Sequence, residues 1–132
     1  MNFSELERAI LIALEEAGEE NLSALLNTVK GHSGERVKGE IDSFRMASTN
    51  LVNSGFVEIA RFRNQESKLW IPMPKRESLS LLQQLESLLR WSDSDQLWIW
   101  SSSSPRAEVL LTASGIDAAR EVLSNHGWHG AG

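Results

Sequence analysis

Leu51-Val52-Asn53-Ser54-Gly55-Phe56-Val57 reads as a helix that stops and a strand that starts, and Leu110-Leu111-Thr112-Ala113-Ser114-Gly115, about sixty residues later, reads as the reverse. Each junction has a mechanical reason. Gly55 tolerates the left-handed turn out of a helix, Thr112 carries the hydroxyl of a helix N-cap, and Gly115 lacks the Cβ that would hold a neighbouring element away. Each junction alone is common, and the two in this order point to a fold in which helices and strands alternate.

At 132 residues, 41% of them hydrophobic, the chain is long enough to bury an ordinary core and short enough for one domain, expected over 1–132. The absence of cysteine excludes a disulfide scaffold, a Cys-ligated zinc and a Cys nucleophile together. Near the start, Ile10 to Leu14 is an apolar run too short for a signal peptide or a membrane span, and Glu15-Glu16 ends it. A cytoplasmic protein without a membrane segment is the expectation. The net charge of −5 is uneven, because residues 1–20 carry six glutamates against Arg8 while residues 21–63 carry six cations against four carboxylates. An acidic chain disfavours indiscriminate DNA binding, yet a local excess of two positive charges leaves focused binding open.

The periodicity predicts a first helix from the N-cap Ser4 to Gly18, with Leu6, Ile10, Ala13, Leu14 and Ala17 on one face. Asn21 caps a second helix over Leu22 to Lys30, and Gly31 to Gly34 form a turn. A third helix runs from Gly34 or Glu35 to Asn53, burying Val37, Ile41, Phe44, Ser48, Leu51 and Val52. A strand follows from Phe56 to Arg63, then a polar loop over Asn64 to Ser67 and a second strand from Lys68 to Met73, marked as an edge by Pro72 and Pro74. Arg76 to Trp91 reads as one leucine-striped helix. After the turn Ser92 to Asp95, the strand Gln96 to Ser101 is expected to fold back through Ser102 to Pro105 onto Arg106 to Leu111. Thr112 then caps a last helix, Ala113 to Asn125. The expected class is α+β with a small antiparallel sheet, in the order α-α-α-β-β-α-β-β-α.

Three helices followed by a glycine-started strand resemble the core of bacterial winged helix-turn-helix regulators of the MarR-like and PadR-like kind. The segments carrying the resemblance are Leu51 to Val57, which looks like the end of a recognition helix, and Leu111-Thr112-Ala113-Ser114-Gly115, which looks like the return strand of a wing running into a helix. It covers residues 1–63 and 106–126, and 64–105 departs from it as an inserted strand, helix and strand. The resemblance implies a DNA-binding transcriptional regulator whose third helix enters the major groove of double-stranded DNA. Arg36, Lys38, Ser43, Arg45, Thr49 and Asn50 are then the readers, and Arg61 and Arg63, with Lys68, lie where a wing touches the backbone or the minor groove. The plainer reading is a solvated helix face, since Glu35, Glu40 and Asp42 interrupt the positive charge. A homodimer is implied as well, because palindromic half-sites call for two copies.

The runner-up reading is a winged-helix-like module that binds protein and not DNA. Its candidate contacts are Trp98 and Trp100, two apart on one strand, with Leu82, Leu85 and Leu89 of the leucine stripe; intramolecular packing is the ordinary role of both groups. Leu97 and Ile99 on the opposite side suggest a strand buried on both faces. No metal and no cofactor are expected: His126 and His129 lack carboxylate or thiolate company. Ser101 to Ser104 has no nucleophile elbow and no phosphate-cradling glycine loop occurs, so catalysis finds no support.

Overall fold

The computed structural model describes residues 2–30, 37–62, 70–102 and 107–125, with the backbone alone at 37, 38, 62 and 70. Helix α1 (Glu5–Ala17) starts in a reciprocal cap: the Ser4 hydroxyl accepts from the Glu7 backbone at 3.1 Å, and the Glu7 carboxylate accepts from the Ser4 backbone at 2.7 Å. Strand β1 (Glu19–Asn21) leads directly into α2 (Leu22–Val29), whose cap is Asn21, accepting from the Ala24 backbone at 2.9 Å.

Helix α3 (Val37–Asn53) ends in a Schellman motif, in which the Phe56 N–H reaches the Leu51 carbonyl and the Gly55 N–H reaches that of Val52. Gly55 takes φ of +80° there, a conformation that costs other residues about 1 kcal/mol or more. Lys75 closes the same end from a distance, its Nζ donating to the Asn53 carbonyl at 2.8 Å.

Strand β2 (Val57–Phe62) pairs antiparallel with β3 (Trp70–Pro72) on one side and with β6 (Glu108–Leu111) on the other. Since β6 also pairs with β1, the sheet runs β1-β6-β2-β3. The chain then forms α4 (Lys75–Gln83), a one-turn α5 (Leu85–Leu88), and a separate hairpin of β4 (Leu89–Ser92) with β5 (Leu97–Trp100). Helix α6 (Ala113–Asn125) packs back on α1.

The two junctions meet in space. Val57 lies opposite Leu111, the Thr112 N–H donates to the Phe56 carbonyl at 3.0 Å, and the Thr112 hydroxyl donates to the Gly55 carbonyl at 2.6 Å while accepting from the Gly115 N–H. Gly115 presses on the same carbonyl so closely that a Cβ there would lie 1.8 Å from the Phe56 oxygen. The glycine is therefore required by packing.

The fold is α+β with a small antiparallel sheet, but its order differs from the expected one. Glu19–Asn21 forms a strand that its polar residues do not announce, because β6 has an open edge beside it. The leucine-striped helix breaks at Gln84, and from Leu89 its chain is extended. The strand at Leu97–Trp100 does not pair with Glu108–Leu111: it takes the strand before it, leaving β6 to sit between β1 and β2. The turns at 31–34, the loop at 64–67 and most of the loop at 102–105 lie outside the described residues, as do His32, His126 and His129.

One continuous core joins these parts. Ile10, Leu14, Leu22, Leu25, Phe44, Leu51 and Ile59 from the resembling segments pack in the same cluster as Leu81, Leu82, Leu85, Leu88, Leu89 and Trp98. Each large aliphatic side chain so buried contributes about 1.5–3 kcal/mol, so the segment from α4 to β5 is bound into the structure by its own leucines.

Candidate functional site

The outward arc of α3 is the face to which the sequence assigns binding. Its spacing is helical: Asp42, Met46, Asn50 and Asn53 are all exposed, flanked by the half-buried Ser43 and Thr49. Met46 is 68% exposed, unusual for a large apolar side chain.

Arg45, the central cation, points aside from this arc. Its guanidinium bonds Asp42, one turn earlier, at 2.8 Å and Glu86, at the start of α5, also at 2.8 Å. The Arg45 side chain retains 17% of its exposure whereas Glu86 keeps 68%. Burial works against the charge on Arg45, but hydrogen bonds and proximity to Glu86 and Asp42 outweigh it, and the guanidinium is held charged more firmly than usual. With two carboxylates already on it, Arg45 adds no net attraction for a phosphate. The buried Arg45 Nε and the hydroxyls of Ser48 and Thr49 have no hydrogen-bond partner along the same side of the helix.

The other candidates scatter. Arg61 lies at the far end of β2 and lines a groove with Met73, Glu77 and Gln84. Arg36, Arg63 and Lys68 fall outside the described residues, and so does the Lys38 side chain. Among the described residues, then, the predicted cations do not converge on the α3 arc.

The candidate partner contacts turn inward. Leu82, Leu85 and Leu89 are in the core, and Trp98 keeps only 7% of its surface, so these four pack within the chain instead of offering an apolar platform. Trp100 is half-buried. Leu97 is 42% exposed, which corrects the expectation of a strand buried on both faces.

The hairpin carrying these tryptophans is fastened to α2 by side chains the sequence did not mark. The Asn27 amide bonds both groups of the Trp98 backbone, donating to its carbonyl at 2.9 Å and accepting from its N–H at 2.8 Å. It thereby takes the place of a neighbouring strand along the outer edge of β5. Lys30 donates to the Gln96 carbonyl and lies 4.9 Å from the Trp91 ring centroid, a cation–π contact. Trp91 meets Trp98 edge-on at 5.5 Å, and the Trp98 indole N–H reaches the Glu40 carboxylate of α3 at 3.3 Å. Glu40 is thus a buried anchor for the hairpin.

No described helix is long and apolar enough to cross a membrane, and the described residues hold no group of three His, Asp or Glu suited to a metal. Comparison with family models, with curated proteins and with solved structures finds no match.

Proposed function

We propose that the chain is a winged-helix-type module that binds a protein partner through the exposed arc of α3. The strand order supports the winged-helix part: β1 from between the first two helices, β6 from before the last helix and β2 from after α3 lie side by side as β1-β6-β2, with β6 returning from β2 as a wing strand does. The elements from β3 to β5 are an elaboration inside that wing, docked on α2 and α3.

A single observation carries the choice of protein over DNA. Arg45 is neutralised by Asp42 and Glu86, and the arc presents Met46 with the amides of Asn50 and Asn53 and the carboxylate of Asp42. Phosphate contacts supply most of the affinity in DNA binding, whereas an exposed apolar residue among polar side chains suits a modest protein interface.

The reading of DNA through α3 is the second hypothesis, favoured by the same strand order and by Arg36, Lys38 and Arg63 in the sequence. Selection from a genomic DNA library at low salt separates the two. The expected outcome is no enriched sequence; enrichment that disappears in Lys38→Glu overturns the protein reading. In parallel, a photo-crosslinker at position 46 in the native host should give a stoichiometric adduct, and one at position 121 on α6 should not. Equal, diffuse labelling at both positions counts against the α3 arc as an interface.

A further inference from the structure

The ladder between β4 and β5 dictates where their backbone groups point. Opposed residues of an antiparallel pair alternate between those that bond each other and those whose N–H and C=O both face away. Trp98 stands opposite Trp91, and both of its groups go to Asn27 on the outer side. Trp91 therefore turns its own N–H and C=O away from β5. The bond from the Ser101 N–H to the Leu88 carbonyl at 2.8 Å has the parity this requires. Leu89 shares the outward direction of Trp91; its N–H is taken by the Leu85 carbonyl, and its own carbonyl is left facing out.

The hairpin thus has one edge closed by a side chain and one edge open. No described strand pairs with the open edge, and Asn27, Lys30 and Glu40 already hold the hairpin in place, so an incoming strand meets a preorganised template. Arg90 selects among strands. It is exposed between Leu89 and Trp91 and, among the described residues, has no carboxylate partner. The carboxylates nearest to it in sequence are engaged, Glu86 on Arg45, Asp93 on the Trp91 indole and Asp95 on the Ser92 hydroxyl. A second copy of the chain is disfavoured, because pairing two β4 edges through Trp91 sets one Arg90 near the other on the same face of the joint sheet.

We infer that the open edge of β4 receives an extended, acidic segment of a protein partner, added antiparallel as a third strand of the hairpin. One residue of that segment exchanges both backbone hydrogen bonds with Trp91, and a carboxylate on the next residue meets Arg90. This edge is separate from the arc of α3 and does not depend on what that arc binds.

The test is an NMR titration of the full chain with the peptide acetyl-Val-Glu-Val-Glu-Val-amide. The Trp91 backbone N–H should shift saturably and exchange more slowly with water, while the Val109 N–H in β6 stays where it is. Replacing both peptide glutamates by lysine should weaken binding about three-fold or more. N-methylation of the central valine, which removes the donor for the Trp91 carbonyl, should weaken it about ten-fold. Arg90→Glu, a change at an exposed position, should reverse the preference in favour of the lysine peptide. A Trp91 N–H that does not respond, equal affinity for the glutamate and lysine peptides, or affinity unchanged by N-methylation overturns the proposal. So does a Trp91 shift that grows with protein concentration alone, since a second copy would then occupy the edge. Should Arg90→Glu fail to fold, the three peptides against the unaltered chain still decide it.

Discussion

The seam where β2, β6 and α6 meet and the strap formed by α5, β4 and β5 are both held by a few hydrogen bonds over a buried core, yet they are built differently. At the seam, one residue bonds through both its backbone and its hydroxyl: the Thr112 N–H donates to the Phe56 carbonyl and the Thr112 hydroxyl to that of Gly55, and Gly115 makes room for the contact. At the strap, a side chain meets backbone, with the Asn27 amide standing in for a strand beside Trp98. The seam rests on the absence of an atom, the Cβ of Gly115. The strap rests on the presence of an amide of the right length. Substitutions should therefore damage the two in opposite ways, the seam by adding bulk and the strap by removing it.

The largest effect is expected from Gly115→Ala. Its Cβ would fall 1.8 Å from a backbone oxygen, so α6 must move as a unit, at a cost of about 3 kcal/mol. Urea unfolding should show a lower midpoint with an unchanged slope; a midpoint like that of the parent would mean that α6 docks without the close contact and that the seam is looser than described. Next comes Asn27→Ala, which leaves the N–H and carbonyl of Trp98 without their partner and should cost about 2 kcal/mol. Here the sharper readout is local: amide exchange at Trp98 should accelerate far more than at Val109 in β6. Equal acceleration at both would show that strap and seam open together and would dissolve the distinction. Glu86→Gln should matter least, under about 1 kcal/mol, since Glu86 is 68% exposed and Arg45 keeps Asp42. A larger loss would make Glu86 part of the strap's anchorage.

The same contrast explains what the sequence disclosed. Ser4 with Glu7, Asn21 with Ala24, Thr112 with Gly115 and the Leu51 to Phe56 turn all act over three to five residues, so their signals are contiguous and each appears in the structure. Strand β1 escaped because Glu19-Glu20-Asn21 has no alternation; it is a strand only because Val109 and its neighbours need a partner on that side. The break at Gln84 escaped because Leu88 and Leu89 continue the leucine spacing even where the chain becomes extended. Pairing Leu97–Trp100 with the next strand in sequence followed the ordinary preference for adjacency, and the open edges of β1 and β2 overrode it. For the site, the sequence marked Asp42 only as interrupting the positive charge, although its pair with Arg45 spans a single helical turn. Glu86, forty-one residues from Arg45, left no local trace. Nor did Asn27, whose partner lies seventy-one residues away.

The position of β6 also dictates when the sheet can exist. It is the last of the described strands to leave the ribosome, and β1 and β2 are joined only through it. Until Glu108–Leu111 has been made, the helices can gather around their leucines, but β1 has no strand to pair with and β2 has only β3. Synthesis thus passes through a period in which an apolar nucleus waits with unpaired strand edges, the condition in which nascent chains stick to one another. Glu108 to Gly115 then arrives as a closing piece, carrying the missing strand, the cap and the glycine in eight consecutive residues.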